Sequence, residues 1–238
     1  MSHYAYSISP DIFARFPGYV RGVVLAYRLS NGPSPPDLVA LLREAEASLR
    51  GRMTVEQVAE EPRIKAWREA YRAFGAKPSE FRSSVEAMAR RVLRGDALPS
   101  INRLVDIGNI VSLRFLLPAG SHAIDLLGGD IELRFAHGNE RFVAFGSDKT
   151  ESPDPGEVIF AEGDSVLTRR WTWRQAQHTL TLPDTTAVEF NVDGLPPTER
   201  DDVAEACTEL SLLVERFCGG TLRTAFLEET NPRISLTA

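Results

Sequence analysis

The chain has little of what most chemistries require. Of 238 residues only two are cysteine, three are methionine and four are histidine. No apolar run approaches the ~20 residues of a membrane-spanning helix. The N-terminal residues lack the basic and apolar regions of a secretory leader, so a cytoplasmic protein is expected. Cys207 and Cys218 fall on one expected helix, 11 positions apart. At ~1.5 Å rise per residue they are ~16 Å apart, too far for a disulfide. They read as buried thiols in a reducing compartment. There is no P-loop pattern, no Rossmann glycine fingerprint, no Gly-x-Ser-x-Gly and no Cys-x-x-Cys. The histidines, His3, His122, His137 and His178, have no partner at metal-ligand spacing on a helix. No metal or cofactor is therefore expected. Neither cysteine suits a nucleophile, because both fall on a core helix. Any catalysis has to rest on positioned water.

What is present is an ordinary globular composition, 43% hydrophobic and 25% charged. The length suits one large domain, with residues 1–60 as strands and helices that join or extend a core spanning 61–238. The net charge of −6 argues against broad nucleic-acid binding. One local exception runs from Arg63 to Arg94, where nine bases against three acids leave +6. Arg82, Arg90, Arg91 and Arg94 are its RNA-binding candidates. The alternative is a solvated helical face.

Hydrophobic periodicity orders the rest. Tyr4–Ile8 and Tyr19–Arg28 read as strands. The breaker cluster Asn31–Pro36 precedes a helix that Ser34 is expected to cap, with Leu38, Leu42, Ala45 and Leu49 inward. Thr54 and Gln57 resemble a capping box that opens a short helix ended by Pro62. Ile64, Trp67, Tyr71 and Phe74 form the next apolar stripe, up to Gly75. Ser79 is the expected cap of a helix closed by Gly95. Short β-prone runs follow Gly120, at 123–125, 130–135, 141–145, 158–161, 166–173, 178–182 and 187–192. Thr198 is expected to cap a helix to about Cys218, and Thr221–Leu227 reads as a final strand. Trp171 and Trp173 alternate about Thr172, which places both on one sheet face, as core or as a base-stacking platform.

The organising stretch is Pro99–Gly129. A helix from about Ser100 to Leu117 puts Leu104, Ile107, Val111 and Phe115 on one face. Asn102, Asp106 and Asn109 share another, which suits either the lining of a cleft or exposure to solvent. Here the chain resembles a known family. Pro99-Ser100-Ile101-Asn102-Arg103-Leu104-Val105-Asp106-Ile107-Gly108-Asn109-Ile110-Val111 and His122-Ala123-Ile124-Asp125 are similar to motifs of the B3/B4 domain of the bacterial phenylalanyl-tRNA synthetase β subunit. Ala66–Gly75, Arg82–Ala87 and Arg169–Gln175 are similar to free-standing proteins of that type. The resemblance spans roughly Ile64 to Gly220.

It implies an α+β fold, a mixed and mostly antiparallel sheet packed by several helices. It also implies hydrolysis of tyrosine wrongly esterified to phenylalanine tRNA, a second sieve where one hydroxyl is a weak discriminator. By correspondence, Asn109 and His122 are the catalytic candidates, which hold the water or the terminal ribose. A neutral histidine can accept the water's proton near pH 7. Glu189 aligns with a glutamate that recognises the tyrosine hydroxyl, since phenylalanine would leave it unpaired. Two departures alter the pocket. Gly108 replaces a threonine, and Trp173 and Arg174 fall near a Gly-Gly segment, where they line the pocket or cover it. Arg174 can pair with a carboxylate or a phosphate. Asp106 and Asp125 read as structural residues. The expected partner is tRNA or aminoacyl-tRNA. The alternatives are a noncatalytic RNA-binding module and a binding protein for an amino acid or related metabolite.

Overall fold

A computed structural model describes residues 4–237, so His3 lies outside the described residues. In chain order the elements are β1 (Ala5–Ile8), α1 (Pro10–Arg15), β2 (Val20–Tyr27), α2 (Pro36–Arg52), α3 (Pro62–Ala73), α4 (Ser84–Leu93) and α5 (Arg103–Phe115). Then come β3 (Ala119–Ala123), β4 (Ile131–Phe135), β5 (Phe142–Val143), β6 (Thr150–Glu151), β7 (Val158–Glu162), β8 (Ser165–Arg169) and β9 (Arg174–Gln175). β10 (Ala187–Gly194), α6 (Arg200–Cys218), β11 (Thr221–Leu227) and β12 (Arg233–Ser235) complete the chain. The fold is α+β. One sheet has six strands in the order β12-β1-β4-β7-β8-β9, the other four in the order β11-β2-β10-β3, and β5 and β6 form a small hairpin. Among the described strands β1 and β4 pair in parallel and the other ladders are antiparallel. From the first sixty residues, β1 and β2 are interior strands of the two sheets, and α2 packs on α5.

The alternation of β10 explains the layering. Val188, Phe190 and Val192 face helices α5 and α6, while Glu189, Asn191 and Asp193 face the larger sheet. On the helix side α6 lies unusually close to β2. A Cβ on Gly22 would sit 2.3 Å from the Cys207 Sγ and 2.8 Å from Val203 Cγ1. On the other side Tyr6 and Phe160 of the larger sheet lie under Arg21 of β2.

Several caps differ from expectation. Ser34 does not cap α2. Its hydroxyl donates to Asp106 Oδ2 at 2.7 Å, and Pro35 occupies the cap position. Residues 55–60 form turns rather than a helix, although the Gln57 side chain does accept from the Thr54 N–H at 2.8 Å. Pro62 starts α3 instead of ending a helix, as its missing N–H suits a first turn. Ser83, not Ser79, caps α4. Glu199, not Thr198, precedes α6. The expected strand at 166–173 stops at Arg169, because Arg170 and Trp171 adopt positive φ of 45° and 64° and turn the chain. The two tryptophans therefore do not share a strand face. The expected strand at 178–182 is irregular. Cys207 and Cys218 are free and buried on α6. No helix among the described residues is long and apolar enough to cross a membrane.

Candidate functional site

The polar face of β10 builds a buried network between the sheets. Arg21 Nε donates to Asp193 Oδ1 at 2.6 Å, and Arg21 NH1 donates to the Tyr6 hydroxyl at 2.5 Å. Tyr19 donates to the same Asp193 oxygen, and Asn191 Nδ2 donates to Asp193 Oδ2 at 2.8 Å. Burial is the largest single influence and opposes the Arg21 charge, but the Asp193 carboxylate together with Tyr19 and Tyr6 outweighs it and the guanidinium stays ionised. A charge taken out of water this completely needs such a partner.

Above this network lies a cavity of about 160 Å³, lined by Arg21, Asn191, His122, Thr168, Phe160, Trp171, Trp173, Arg174 and Gln175 among others. Amide, guanidinium, hydroxyl and imidazole groups converge there against aromatic walls. That is a setting for a ligand with carbonyl or anionic oxygens and an apolar part. The His122 ring is held on both sides. Nδ1 lies 2.6 Å from Thr179 Oγ1 and 3.2 Å from Gln175 Nε2, and Nε2 lies 3.0 Å from Thr168 Oγ1. Because an amide NH₂ only donates, the proton belongs on Nε2, directed at Thr168. Burial, with Arg21 and His178 adding to it, pushes the imidazole pKa down to about 3. The ring is therefore neutral at physiological pH. The expected role as acceptor of the water's proton near pH 7 does not fit a ring with so low a pKa and both nitrogens engaged.

A second concavity runs along α4. Arg82, Arg90, Arg91, Arg94, Glu80, Asp96 and Trp173 line a groove of about 490 Å³. Glu86 organises it from below. Its buried carboxylate accepts from Arg68 NH1 at 2.6 Å and Arg90 Nε at 2.9 Å, with Arg82 Nε 4.0 Å away. Arg91 and Arg94 project to solvent. Trp173 belongs to both the groove and the cavity. Phe81 packs edge-on against it at 4.9 Å between centroids, and the Arg170 guanidinium lies 4.7 Å from its ring. The four arginine candidates thus share one surface, which meets the cavity at this indole.

The other candidates are placed differently. Asn109 does not line the His122 cavity. It lines a separate pocket of about 340 Å³ with Ile101, Leu104, Gly108, Phe145, Leu180 and Leu182. Ala119, Gly120, Ser121 and Gln175 form the wall common to the two spaces. Gly108 lines this pocket too, and a Cβ there would sit at ordinary contact distance, 3.7 Å from the Ala119 carbonyl and 3.8 Å from the Phe190 ring. Glu189 is fully buried and does not line the cavity, although it registers with His122 across β3 and β10. Both carboxyl oxygens lack a hydrogen-bond partner. Burial raises its pKa to about 8; Arg21 opposes the shift and Asp193 adds to it. At pH 7 it is a neutral acid. The cavity lining therefore does not present this carboxyl for the expected contact with a tyrosine hydroxyl. Trp173 and Arg174 line the cavity rather than seal it. Asp106 is structural, since it accepts from Ser34, Ser100 and the Ile101 N–H. Asp125 likewise accepts from the Thr186 backbone and hydroxyl.

Sequence reasoning missed Arg21, Asn191 and Asp193. A signal was there: an arginine inside the apolar run Tyr19–Tyr27, and Glu189, Asn191 and Asp193 at a spacing of two in a strand. The comparisons with known proteins bear on what this arrangement is. A family model described as the B3/4 domain matches residues 66–219. The chain belongs to the B3/4 domain family. In this B3/4 protein the match begins in α3 and ends just after α6, so it takes in the α4 groove and the cavity's lining apart from Arg21. A search of curated proteins finds no match. Among solved structures the chain is similar to an N-terminal fragment of the phenylalanyl-tRNA synthetase β subunit from Pyrococcus horikoshii, with a TM-score of 0.48 and 12% identity. That similarity covers 93% of this chain and 51% of the fragment, so this B3/4 chain spans about half the fragment's length.

Proposed function

We propose that this B3/4 protein is a trans-acting hydrolase of misacylated tRNA, which removes an aromatic amino acid from a tRNA(Phe)-like substrate. The observation that carries the reading is the junction at Trp173, where an arginine-lined groove meets a polar cavity with aromatic walls. A polynucleotide held along Arg82, Arg90, Arg91 and Arg94 would deliver its aminoacyl end to that cavity. Phosphate contacts of this kind position a strand without reading its sequence.

In this reading the acyl ester lies among Arg21, Asn191, Thr168 and His122. Asn191 and Arg21 donate to the carbonyl oxygen as charge develops on it, and Arg174 meets the phosphate or carboxylate side. Donors preorganised in this way typically contribute about 3 kcal/mol to acyl-transfer steps. His122 fixes Thr168 beside the attacking water and does not itself take the proton: the water's oxygen bonds to the acyl carbon as the ester bond to the ribose breaks, and the proton passes to the departing ribose oxygen. Deacylation of tyrosyl-tRNA(Phe) and of a panel of other mischarged tRNAs tests the reading. Turnover of at least one ester is expected, and its absence at enzyme in excess of substrate contradicts catalysis. A second reading, a noncatalytic tRNA-binding module, draws on the engagement of both His122 nitrogens. It predicts salt-dependent tRNA binding with no deacylation.

A further inference from the structure

The pocket on α5 is not used by that chemistry, yet it adjoins the cavity across the edge strand β3. Its walls are apolar, from Ile101, Leu104, Val105, Leu180 and Leu182. Three of the exposed large hydrophobic side chains among the described residues lie on it, Phe145 at 67%, Ile101 at 56% and Leu182 at 47%. Isolated exposed apolar residues are ordinary, but three around one concavity mark a binding surface. The frame is fixed from several sides. Asn102 Nδ2 donates to the Thr181 carbonyl at 2.9 Å, Ser121 and Thr181 share a hydroxyl contact at 2.9 Å, and Asn31 Nδ2 donates to the Leu182 carbonyl at 2.7 Å. Phe145 stands on the turn between β5 and β6, next to Gln175. Asn102, which caps α5, and Asp106 on its first turn spend their side chains on backbone and hydroxyl groups. The Asn109 carboxamide, half-buried in this pocket, has no side-chain hydrogen bond among the described residues.

We infer that the α5 pocket is the subsite for the 3′-terminal adenine of the RNA whose acyl end enters the neighbouring cavity. The inference rests on the hydrolase reading for its RNA source. An exposed phenyl ring at the rim and apolar walls suit a purine face, since base-on-aromatic stacking is the sequence-tolerant part of single-strand binding. A free carboxamide suits the N6/N7 edge of adenine, with which asparagine forms two hydrogen bonds. The wall of Gly120, Ser121 and Gln175, shared with the cavity, places an acyl group attached to the ribose one strand's width from its base.

The test is a titration of the full-length, isotope-labelled protein with adenosine 5′-monophosphate and, separately, uridine 5′-monophosphate. Chemical shifts of the Asn109 side-chain amide are the readout. Saturable shifts with the purine are expected, with affinity about tenfold weaker for the pyrimidine and about tenfold weaker in Phe145→Ala, because one stacking contact is lost. Phe145 is exposed, so its replacement leaves the fold intact. Asn109→Ala should weaken the purine by a similar factor. Absent shifts at Asn109, equal binding of both nucleotides, or unchanged affinity in Phe145→Ala each overturn the inference. A parallel measurement of tRNA binding and deacylation reports separately on the hydrolase reading. If the purine fails to bind while deacylation proceeds, only the adenine subsite is lost. If tRNA neither binds nor is deacylated, the RNA source is removed and both fall.

Discussion

At the residue scale, Glu189 and His122 are neighbours across two strands whose charges burial suppresses in opposite directions. For Glu189 the folded pKa, about 8, exceeds the ordinary value of 4.5. Above pH 4.5 the unfolded carboxyl ionises and the folded one does not. Folding stability is therefore lost progressively as pH rises from about 4.5 to about 8. Glu189→Gln removes that slope. Urea unfolding at pH 5 and pH 7.5 should show the variant gaining on the parent by a few kcal/mol at the higher pH, on the order expected for a buried acid. An equal difference at both pH values contradicts a neutral Glu189. For His122 the sign is reversed: its folded pKa of about 3 lies below 6.5, so stability is lost as pH falls below 6.5. The same value bears on catalysis. Between pH 6 and pH 7.5 the deacylation rate should show no inflection from an imidazole, and a titration step near 6.5 that disappears in His122→Gln contradicts the positioning role.

At the scale of elements, α4 carries the groove and Glu86 holds it in shape. Removing a buried carboxylate that serves three guanidinium groups leaves like charges facing one another. Glu86→Ala should lower stability by about 1–3 kcal/mol and splay Arg68, Arg82 and Arg90. An unchanged denaturation midpoint contradicts that organisation. Much of this level was legible from periodicity. The stripe Ile64, Trp67, Tyr71 predicted α3, and β11 and α6 follow their expected ranges closely. Caps were less legible, since Ser34, Ser79 and Thr198 are each plausible by type. Which hydroxyl meets a helix N-terminus depends on tertiary partners, as Ser34 shows by donating to Asp106. The turn at Arg170 and Trp171 was hidden because their residue types favour a strand, and packing of Trp171 against Tyr19, Phe16 and Trp67 overrides that preference. For the site, motif correspondence found residues that border two adjoining spaces. It could not separate them, because β3 intervenes only in three dimensions.

At the scale of the whole molecule, an acidic chain sets four arginines along one groove that opens beside a polar cavity. In the proposed function RNA runs along this groove to be deacylated. The most direct measurement is single-turnover deacylation of the mischarged tRNA panel over a range of salt, with the parent and with Arg91→Glu/Arg94→Glu. Both side chains are exposed and lie outside the cavity, so the fold should persist. The expected result is deacylation by the parent that weakens with salt, at least tenfold weaker substrate binding in the double variant and a shallower salt dependence, as two phosphate contacts are lost. The contradicting result is no deacylation of any ester by the parent, or equal binding and equal salt slopes in parent and variant.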